Sequence, residues 1–566
     1  MGWRNAPLLA MVLREEVEAM FDVTALPYKE RTDVPMTTKR RRGLAVALAM
    51  VALTCALLGC TSQEASTSES GDAAATTESA AKELRAGSTT YFFAESLDPA
   101  SEWDSWYLCY YGIVETLFKV SDDLTAEPWL AESITDGGDG QTWTIAIRDG
   151  ITFSNGNPVD AAAVKAAWER TYAENARGAE TLAIDSMEAD GQTLTVHTSA
   201  PVPGIENILC DPLLCVYDAT DVDATKGTAA TGPYVPVEFV AEDHAVLEPN
   251  KGYWDGEPKL DRVTLVSFTD DNALTMAMQN DEIDAVAMPS ASALATLSGG
   301  DYEAFTRTTS RADMLRINMA HPVMQNDAVR TAVAYCIDRD GYAQVICQNS
   351  SQPCWGVYSP TLPFGGTEGL TVNVEKFDIE AAKQVLESAG ITDADGDGVR
   401  ELNGSPVELS LYACTNYERF VREADDLQSN LAQAGIKVNI MPVDYFIEDA
   451  ETFDADDPDM VFNSYAMAPT GNAAYFATQN FATDASGNLG HYSNAQVDAL
   501  IDELNATYDM DARDGLARQI AQIVLDDLPY IFFGNTDACV IADKGVSGLD
   551  ASPSEYYFVT VDADVA

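Results

Sequence analysis

Cys60 is placed where covalent lipid attachment is expected. The basic cluster Lys39-Arg40-Arg41-Arg42 precedes an apolar run from Gly43 to Leu58, and the small residue Gly59 leads directly to Cys60. The run is 16 residues long, whereas a membrane-spanning helix needs about 20 apolar residues, so the pattern favours a cleaved export signal. Cleavage makes Cys60 the new N-terminus, and two or more acyl chains there hold a protein stably on a membrane. The alternative is an uncleaved span in which Cys60 is incidental.

The segments around this signal are not expected to belong to a folded domain. Residues 1–35 place acids such as Glu15 ahead of the basic cluster, so we interpret them as an upstream extension that is not part of the true product. Residues 36–59 are predicted to be the signal peptide. Residues 60–84 hold the lipidated cysteine and a linker of Ser, Thr, Ala, Gly and acidic residues, which is too poor in apolar side chains to fold.

Asp393, Asp395 and Asp397 alternate as the first carboxylates of a calcium-binding loop do, and Gly398 stands at the sixth position of that loop. The bidentate glutamate of the twelfth position is missing, since Gly404 is there. The spacing therefore leaves two interpretations open, a weak calcium site and a plain surface turn. No other cofactor is expected.

The cysteines and histidines do not predict a metal centre. The sequence has no C-x-x-C motif, and its four histidines are scattered, so a structural zinc site is not expected. In an oxidising compartment Cys347 with Cys354, or Cys210 with Cys215, could close a short disulfide loop. The cysteines that follow Cys60 are Cys109, Cys210, Cys215, Cys336, Cys347, Cys354, Cys414 and Cys539.

The charge balance excludes several classes of partner. The chain has 33 Lys and Arg against 90 Asp and Glu, a formal net charge of −57. Such a surface repels nucleic acid and anionic headgroups, so no nucleic-acid partner is expected. Acidic runs such as Asp454-Ala455-Asp456-Asp457 are solvated surfaces or, alternatively, attract cationic ligands. The motifs G-x-S-x-G, H-E-x-x-H and G-x-x-x-x-G-K-[ST] are absent, so common hydrolase and NTPase signatures are lacking.

The hydrophobic periodicity predicts helices and strands in alternation, which is an α/β fold class. Gly390 and Gly435 are placed as helix C-caps. The predicted helices include Tyr107–Phe118, Asp160–Tyr172, Asp327–Ile337, Asp378–Ala389, Ala424–Ala434 and Asn494–Leu504. The predicted strands include Leu84–Phe93, Thr142–Ile147, Leu260–Phe268, Val407–Tyr412 and Lys437–Pro442.

Several short motifs in a fixed order carry a family resemblance. They are Ser96-Leu97-Asp98-Pro99-Ala100, Tyr111-Gly112-Ile113-Val114-Glu115-Thr116-Leu117, Pro128-Trp129-Leu130-Ala131-Glu132-Ser133, Arg148-Asp149-Gly150, Gly232-Pro233-Tyr234, Asn250-Lys251-Gly252-Tyr253-Trp254 and Val329-Arg330-Thr331-Ala332-Val333. Together they resemble the extracytoplasmic solute-binding proteins of ABC importers, in the peptide/nickel-binding group known as family 5.

The resemblance implies a two-lobed periplasmic-binding-protein type II fold with a hinge and an additional third domain. Residues 85–118, 226–307 and 486–566 are then expected to form lobe I, residues 119–225 the extra domain, and residues 308–485 lobe II.

The expected function is that of a monomeric receptor, not an enzyme, anchored outside the cytoplasm through Cys60. It would capture a peptide or another small organic solute in the interlobe cleft and deliver it to an ABC permease driven by separate ATPase subunits. The alternatives are a secreted surface enzyme and a sensor or adhesin without a transport role.

The same resemblance bears on the solute. Peptide binders of the family commonly carry an aspartate in a segment like W-x-A-D-Y, where it pairs with the peptide amino group, but Ala468 occupies that place here. We therefore expect a ligand that needs no ammonium anchor at this position, because a buried ammonium without a counter-charge is costly. The opposing interpretation is that another acid, such as Glu95, replaces it. The candidate ligand-binding residues, each of which could instead be core or surface, are Glu95, Ser96, Trp103, Tyr107, Trp355, Tyr412, Asn416, Arg419, Tyr465 and Met467.

Overall fold

The computed structural model describes residues 81–89, 95–447 and 449–566. The chain divides into two units, Met1–Glu78 and Ser79–Ala566, and the description concerns the second of them. The predicted upstream extension, the signal peptide, Cys60 and most of the predicted linker lie outside the described residues. Within the described part of the chain, no helix has the length and apolarity needed to cross a membrane.

The described elements alternate along the chain as the periodicity predicts. The strands are β1 (Glu83–Ser88), β2 (Phe118–Val120), β3 (Ala126–Pro128), β4 (Ala131–Asp136), β5 (Thr142–Ile147), β6 (Ile184–Asp190), β7 (Thr193–Thr198), β8 (Tyr234–Val240), β9 (His244–Pro249), β10 (Arg262–Ser267), β11 (Ala285–Ala287), β12 (Tyr302–Ile317), β13 (Ser351–Pro353), β14 (Glu401–Leu402), β15 (Ser405–Pro406), β16 (Glu408–Cys414), β17 (Lys437–Val443), β18 (Met460–Ala466), β19 (Tyr530–Asp543), β20 (Val546–Ser547) and β21 (Asp564–Val565).

The α-helices are α1 (Asp104–Tyr110), α2 (Ala161–Glu174), α3 (Arg177–Thr181), α4 (Ile205–Ile208), α5 (Asp271–Gln279), α6 (Ala291–Leu297), α7 (Asp327–Tyr335), α8 (Arg339–Gly341), α9 (Ile379–Ser388), α10 (Glu418–Ala434), α11 (Ala450–Asp456), α12 (Tyr475–Asn480), α13 (Ala495–Ala506) and α14 (Met510–Asp527). A 3-10 turn spans Pro212–Leu214, and a π-helical turn spans Tyr342–Ile346.

One 11-stranded sheet runs through the described part of the chain, with the order β17-β16-β18-β12-β19-β11-β1-β10-β9-β8 and β13 paired to β19. Its two central strands are long, since β12 has 16 residues and β19 has 14. The C-terminal half of β12 pairs with β18, and the C-terminal half of β19 pairs with β11. These two strands therefore connect the two halves of the sheet.

The pairing of β12 with β19 is interrupted at the middle. Thr308 opposes Asp537 and Ala312 opposes Asn535, so three residues of β12 face a single residue of β19. Such a bulge bends the strand and increases its twist. We refer to Thr309–Arg311, where the regular pairing is interrupted, as the bend of β12.

Helix α10 illustrates how the sequence positions a side chain at this bend. Phe420, Ala424, Leu427 and Leu431 recur at helical spacing and are buried against the sheet. The helix ends at Gly435, whose φ of 87° is the left-handed C-cap predicted from the sequence. Its first turn places Arg419 beside the bend of β12.

A separate four-stranded sheet, β4-β5-β7-β6, lies within the range predicted for the extra domain. Asp160 caps α2 by accepting from the backbone N–H of Ala163 at 2.9 Å. Trp168 of this helix is fully buried and donates to the carbonyl of Leu214 at 2.8 Å. The predicted boundaries of the lobes and of the extra domain stay predictions.

The helix predicted over Tyr107–Phe118 is shorter and starts earlier than expected. It spans Asp104–Tyr110, and Gly112 follows with a φ of +73°. A Cβ atom at Gly112 would lie 2.4 Å from the carbonyl oxygen of Val559, so the chain must turn here with glycine.

Candidate functional site

An ion pair holds the bend of β12 to the C-terminal segment. Arg311 donates to the Glu555 carboxylate, with a shortest separation of 2.8 Å between Nη2 and Oε2. The side chains are 23% and 13% exposed, so the pair is largely shielded from water. The Trp106 indole donates to the backbone carbonyl of Glu555 at 2.7 Å. Residues distant in sequence thus meet at the bend.

A second, deeper ion pair lies beside the first. Arg419 donates to both oxygens of Asp313, at 2.9 and 3.1 Å, and Tyr342 donates to the same carboxylate at 2.5 Å. Asp313 has no exposed surface. The Arg419 guanidinium also lies over the rings of Tyr417 and Phe420, at 4.8 and 4.7 Å from their centroids. These contacts fix Arg419 although its side chain is 26% exposed.

The two arginines converge on one residue of β18. Arg311 Nη1 donates to the Ser464 carbonyl at 3.4 Å, and Arg419 Nη2 donates to the Ser464 hydroxyl at 3.4 Å. A third cation, Arg177 at the start of α3, stacks on the ring of Trp103 at 3.4 Å. In a chain with an excess of acidic residues, this is a local concentration of guanidinium groups.

Aromatic side chains line the same region. Trp103, which is 46% exposed, lies 6.0 Å from Trp106, and Trp106 packs edge-on against Tyr556 at 5.5 Å. On β18 Tyr465 packs against Phe476 at 5.7 Å. Flat rings next to guanidinium groups are suited to stacking on planar groups of a ligand and to binding its carboxylates.

Tyr475, at the start of α12, links these groups. Burial raises its pKa to about 12, and the nearby charge of Asp211 also raises it, while Arg177 and Arg311 oppose the rise. Burial likewise raises the pKa of Asp211, and the backbone N–H of Leu213 and the charge of Arg177 oppose that rise. We define the cleft cluster as Trp103, Trp106, Arg177, Asp211, Arg311, Arg419, Tyr465, Tyr475, Glu555 and Tyr556.

Comparison with known proteins identifies the family. The family model described as bacterial extracellular solute-binding proteins, family 5 middle, matches residues 125–487. The chain belongs to this family. The α/β class and the two-lobed type II fold expected from the sequence are confirmed.

Relatives with different solutes are similar to this chain. The nickel-binding protein NikA of Staphylococcus aureus is 27% identical over 454 residues, which are 79% of this chain and 88% of NikA. The glutathione-binding protein GsiB of Salmonella paratyphi A is 26% identical over 439 residues, which are 73% of this chain and 81% of GsiB. These relatives are binding proteins.

Solved structures are also similar to this chain. The crystal structure of the nickel ABC transporter from Bacillus halodurans has a TM-score of 0.73 and 30% identity, and the match covers 86% of this chain and 100% of that one. The oligopeptide-binding protein AppA from Bacillus subtilis, solved with a nonapeptide, has a TM-score of 0.70 at 19% identity over 86% of this chain and 99% of that one. The second likeness shows the fold alone.

Three of the sequence-predicted residues belong to the cleft cluster of this family 5 protein, namely Trp103, Arg419 and Tyr465. The segment Glu95–Ser96 lies near it, because Asp104 of α1 accepts from both backbone N–H groups at 2.8 and 2.9 Å. Glu95 itself is exposed, and Tyr107 is partly buried on α1. Glu95 therefore remains available as an alternative ammonium partner.

Other predicted residues lie elsewhere. Trp355 packs under the guanidinium of Arg339 at 4.3 Å. Asn416 donates to the carbonyl of Asp444 at 2.6 Å and is exposed. Tyr412 is 8% exposed, packs with Ile447, Phe453, Val461 and Leu489, and donates to the Asp456 carbonyl at 3.2 Å.

Met467 and Ala468 are fully buried in the main core. In this conformation they offer no surface to a ligand. Met467 was predicted to line the ligand pocket, but the structure uses its side chain to pack the core.

Sequence reasoning did not single out Arg177, Asp211, Arg311, Tyr475 or Glu555. Arg311 and Glu555 are separated by 244 positions, and neither stands in one of the family motifs. The sequence signal was chemical and weak: each is a charged or phenolic residue, and Arg177, Asp211 and Tyr475 stand next to an element boundary whereas Arg311 and Glu555 do not.

The acidic turn brings together a different set of carboxylates from the predicted one. Asp393, Asp395 and Glu401 each place a carboxylate oxygen within 4.8 Å of the others. Asp397 is not in this group, and its carboxylate accepts from the backbone N–H of Val399 at 2.8 Å. Glu401 is the ninth residue of the loop and was not predicted.

All eight cysteines of the described residues are free and buried, so neither disulfide left open by the sequence is present. Burial raises the pKa of the Cys347 and Cys354 thiols to about 12 each. These thiols are therefore protonated packing groups.

Proposed function

We propose that this chain is a lipid-anchored receptor that captures a small solute between its two lobes and delivers it to an ABC import permease. The observation that carries this proposal is the cleft cluster, in which guanidinium and aromatic groups of β12, β18 and α10 meet those of α1, α3 and the C-terminal segment at the bend of β12. Membership of a family of extracellular solute-binding proteins supports it. The energy for import would come from separate ATPase subunits.

The chemistry of the cleft cluster favours a compact solute that carries carboxylate groups. Arg311 and Arg419 already hold Glu555 and Asp313 through Nε and Nη2, so each would donate to a ligand carboxylate through its remaining N–H groups, whereas Arg177 can bind one in a two-pronged manner. Trp103 and Tyr475 provide ring faces. Because Ala468 stands where peptide binders carry an acid, the proposed solute does not depend on an ammonium anchor there. Blocked or hydrophobic peptides and other small organic acids fit best.

Nickel is a second candidate, since the relatives include nickel-binding proteins. No histidine belongs to the cleft cluster. His197, His244 and His321 interact respectively with Thr142, Asp243 and Asp459, and His491 lies near Asp454. A nickel ion would therefore enter as a complex with organic carboxylates, which would contact the arginines.

Thermal unfolding with matched ligands distinguishes carboxylate-bearing solutes from peptides that need an ammonium partner and from nickel complexes. A ligand at a hundred times its dissociation constant stabilises the folded state by about 2.7 kcal/mol. We expect N-acetylated peptides to bind as well as free peptides, and C-terminal amides to bind less well. Nickel with an excess of L-histidine should raise the melting temperature more than nickel alone if a chelate is the solute. Tight binding that acetylation abolishes would contradict the proposal.

Variants assign the effect to the cleft cluster. Arg311→Met should remove the ligand-induced shift, because it removes a proposed carboxylate contact. Arg307→Met is the matched control on the same strand, since Arg307 is 47% exposed and pairs with Asp550 away from the cluster. If the ligand still raised the melting temperature of each of the variants Arg311→Met, Arg419→Met and Arg177→Met, the ligand would bind elsewhere.

The alternatives make different predictions. A secreted enzyme would consume the compound and give product turnover without saturable stabilisation. An adhesin or sensor without a transport role would have no permease gene beside its own. We propose the receptor because the relatives with matching chains are binding proteins.

A further inference from the structure

Arg316 is a fully buried cation for which the described residues supply no acidic partner. It is 1% exposed and lies one residue before the end of β12, a central strand of the sheet. Its Nη1 donates to the Ile447 carbonyl at 3.5 Å and its Nη2 to the Tyr465 hydroxyl at 3.3 Å, both longer than the usual 2.9–3.0 Å or so. Its Nε is buried without a hydrogen-bond partner. A buried guanidinium in this condition is costly unless a counter-charge is supplied.

The other buried arginines of the described chain each have several hydrogen-bond acceptors. Arg330 donates to two backbone carbonyls and to Asp327, and Arg339 donates to the carbonyls of Cys354, Phe532 and Ala334. Arg513 donates to the carbonyls of Leu504 and Thr507 and to Asn472. Arg316 is therefore different from its buried counterparts in the same molecule.

More unpartnered polar atoms project from the same face of the sheet. Arg316 opposes Tyr530 on β19 and Val461 on β18, and Asn463 is two residues further along β18. Directly opposed residues share a face, so Asn463 is a diagonal neighbour of Arg316. The Asn463 amide, like Nε of Arg316, is buried without a hydrogen-bond partner, and the buried Tyr530 hydroxyl lies beside the guanidinium. Each can donate a hydrogen bond.

Aromatic rings enclose this group. The Arg316 guanidinium lies 5.8 Å from the ring centroids of both Tyr465 and Tyr530. Phe476 and Phe481 pack on Tyr530 at 5.9 and 5.6 Å. The surroundings are thus apolar and shielded from water, where a single positive charge attracts an anion most strongly.

We propose that Arg316, Asn463 and Tyr530 form an internal binding site for a small monovalent anion of the halide class. The guanidinium supplies the charge, and the amide N–H and phenolic O–H supply the remaining donors. A halide suits the site because it is small, carries one charge and accepts several hydrogen bonds at once. Since Arg316 also bonds to Tyr465, the anion would hold this wall residue of the cleft cluster in place.

Bromide gives the most direct test, because it replaces chloride and its anomalous scattering identifies it. Crystals of the wild-type chain grown or soaked in bromide should show an anomalous peak at hydrogen-bond distance from Nε of Arg316, the Asn463 amide and the Tyr530 hydroxyl. A water molecule there with no anomalous signal would overturn the proposal. This experiment needs no variant to fold.

Thermal unfolding gives an independent test. Any salt screens the repulsion within this acidic chain, so chloride is compared with gluconate, a bulky anion, at equal ionic strength. We expect the melting temperature to rise with chloride concentration relative to gluconate. Arg316→Met should abolish this difference, and Arg513→Met, which removes a buried but satisfied arginine, should retain it. Equal melting curves in chloride and gluconate would overturn the proposal.

One further variant separates a bound anion from a counter-charge of the chain itself. Glu448 follows Ile447 in sequence and lies outside the described residues. If the anion is the counter-charge, Glu448→Gln should leave the chloride-dependent shift unchanged. A chloride-dependent shift that appears only in Glu448→Gln would assign the counter-charge to Glu448 and overturn the proposal.

Discussion

Asp313, the buried partner of Arg419 of the cleft cluster, depends strongly on its neighbours. Its carboxylate has no exposed surface and is compensated by Arg419 and Tyr342. A buried charged group needs all of its partners. Removal of one partner leaves the other charge buried and uncompensated, which lowers the stability of the fold. The contacts with Asp313 and with the ring of Phe420 therefore fix the position of Arg419.

Arg419→Met should lower the free energy of unfolding by about 3–5 kcal/mol, as expected for breaking a buried ion pair. Arg422→Met is the matched control on the same helix, since Arg422 is 48% exposed and lies 3.8 Å from Glu418. Loss of such a surface pair changes stability by about 0.5 kcal/mol or less. Urea unfolding compares the two variants, and equal effects would contradict the structural role given to Asp313.

The buried Glu115 carboxyl should make a pH-dependent contribution to the free energy of unfolding. Burial raises the pKa of this carboxyl from 4.5 to about 7, although Trp254 and Tyr253 donate hydrogen bonds that oppose the rise. The folded state therefore binds the proton more tightly than the unfolded state. Its contribution is fully present below pH 4.5 and is lost as the pH rises towards 7.

Unfolding of the wild type and Glu115→Gln should be measured across this pH range. The stability of the wild type, relative to the variant, should fall as the pH rises from 4.5 to about 7. A constant difference between the two chains would mean that the Glu115 carboxyl titrates normally.

Among the helices and strands, those marked by local sequence patterns could be predicted. Helix α10 follows an amphipathic stripe and ends at Gly435, as the sequence indicated. The helix predicted over Tyr107–Phe118 was wrong at both ends, since a contact between Gly112 and distant Val559 decides where the chain turns. Tertiary contacts of this kind leave no local signal.

The acidic turn before β14 should bind calcium only weakly, with a dissociation constant on the order of 10⁻³ M. Asp393, Asp395 and Glu401 are near each other, but Gly404 replaces the bidentate ligand. Calorimetry with calcium should show no micromolar binding, and Asp395→Ala should leave the titration unchanged at micromolar calcium. Micromolar binding that Asp395→Ala abolishes would show that the turn is a specific site.

The whole molecule was predictable as a family 5 fold, whereas its cleft cluster was only partly so. The order of the family motifs predicted the fold, and scaffold residues within those motifs, such as Glu115 and Trp254, do contact each other in the structure. Tyr475, Arg311 and Glu555 come from distant segments that only the folded sheet brings to one bend. Arg419 and Trp103 were identified because they stand next to element ends, and Tyr465 because of the motif it occupies.

The anchor is a prediction about the whole molecule that rests on the sequence around Cys60. The wild type should carry lipid and fractionate with membranes, and Cys60→Ala should leave the chain unprocessed or released. Intact-mass measurement and membrane fractionation distinguish these states. Cys414→Ala is a control that removes a cysteine of the folded part. A wild-type chain without lipid would contradict the anchor.

The central claim is that a carboxylate-bearing solute lies between the lobes in contact with the cleft cluster. Crystals of the protein with its co-purified solute test this claim most directly. We predict density whose carboxylate groups contact Arg311, Arg419 or Arg177 and whose remaining part stacks on Trp103 or Tyr475. Density for a peptide whose ammonium group pairs with Glu95, with no carboxylate on these arginines, would contradict the claim.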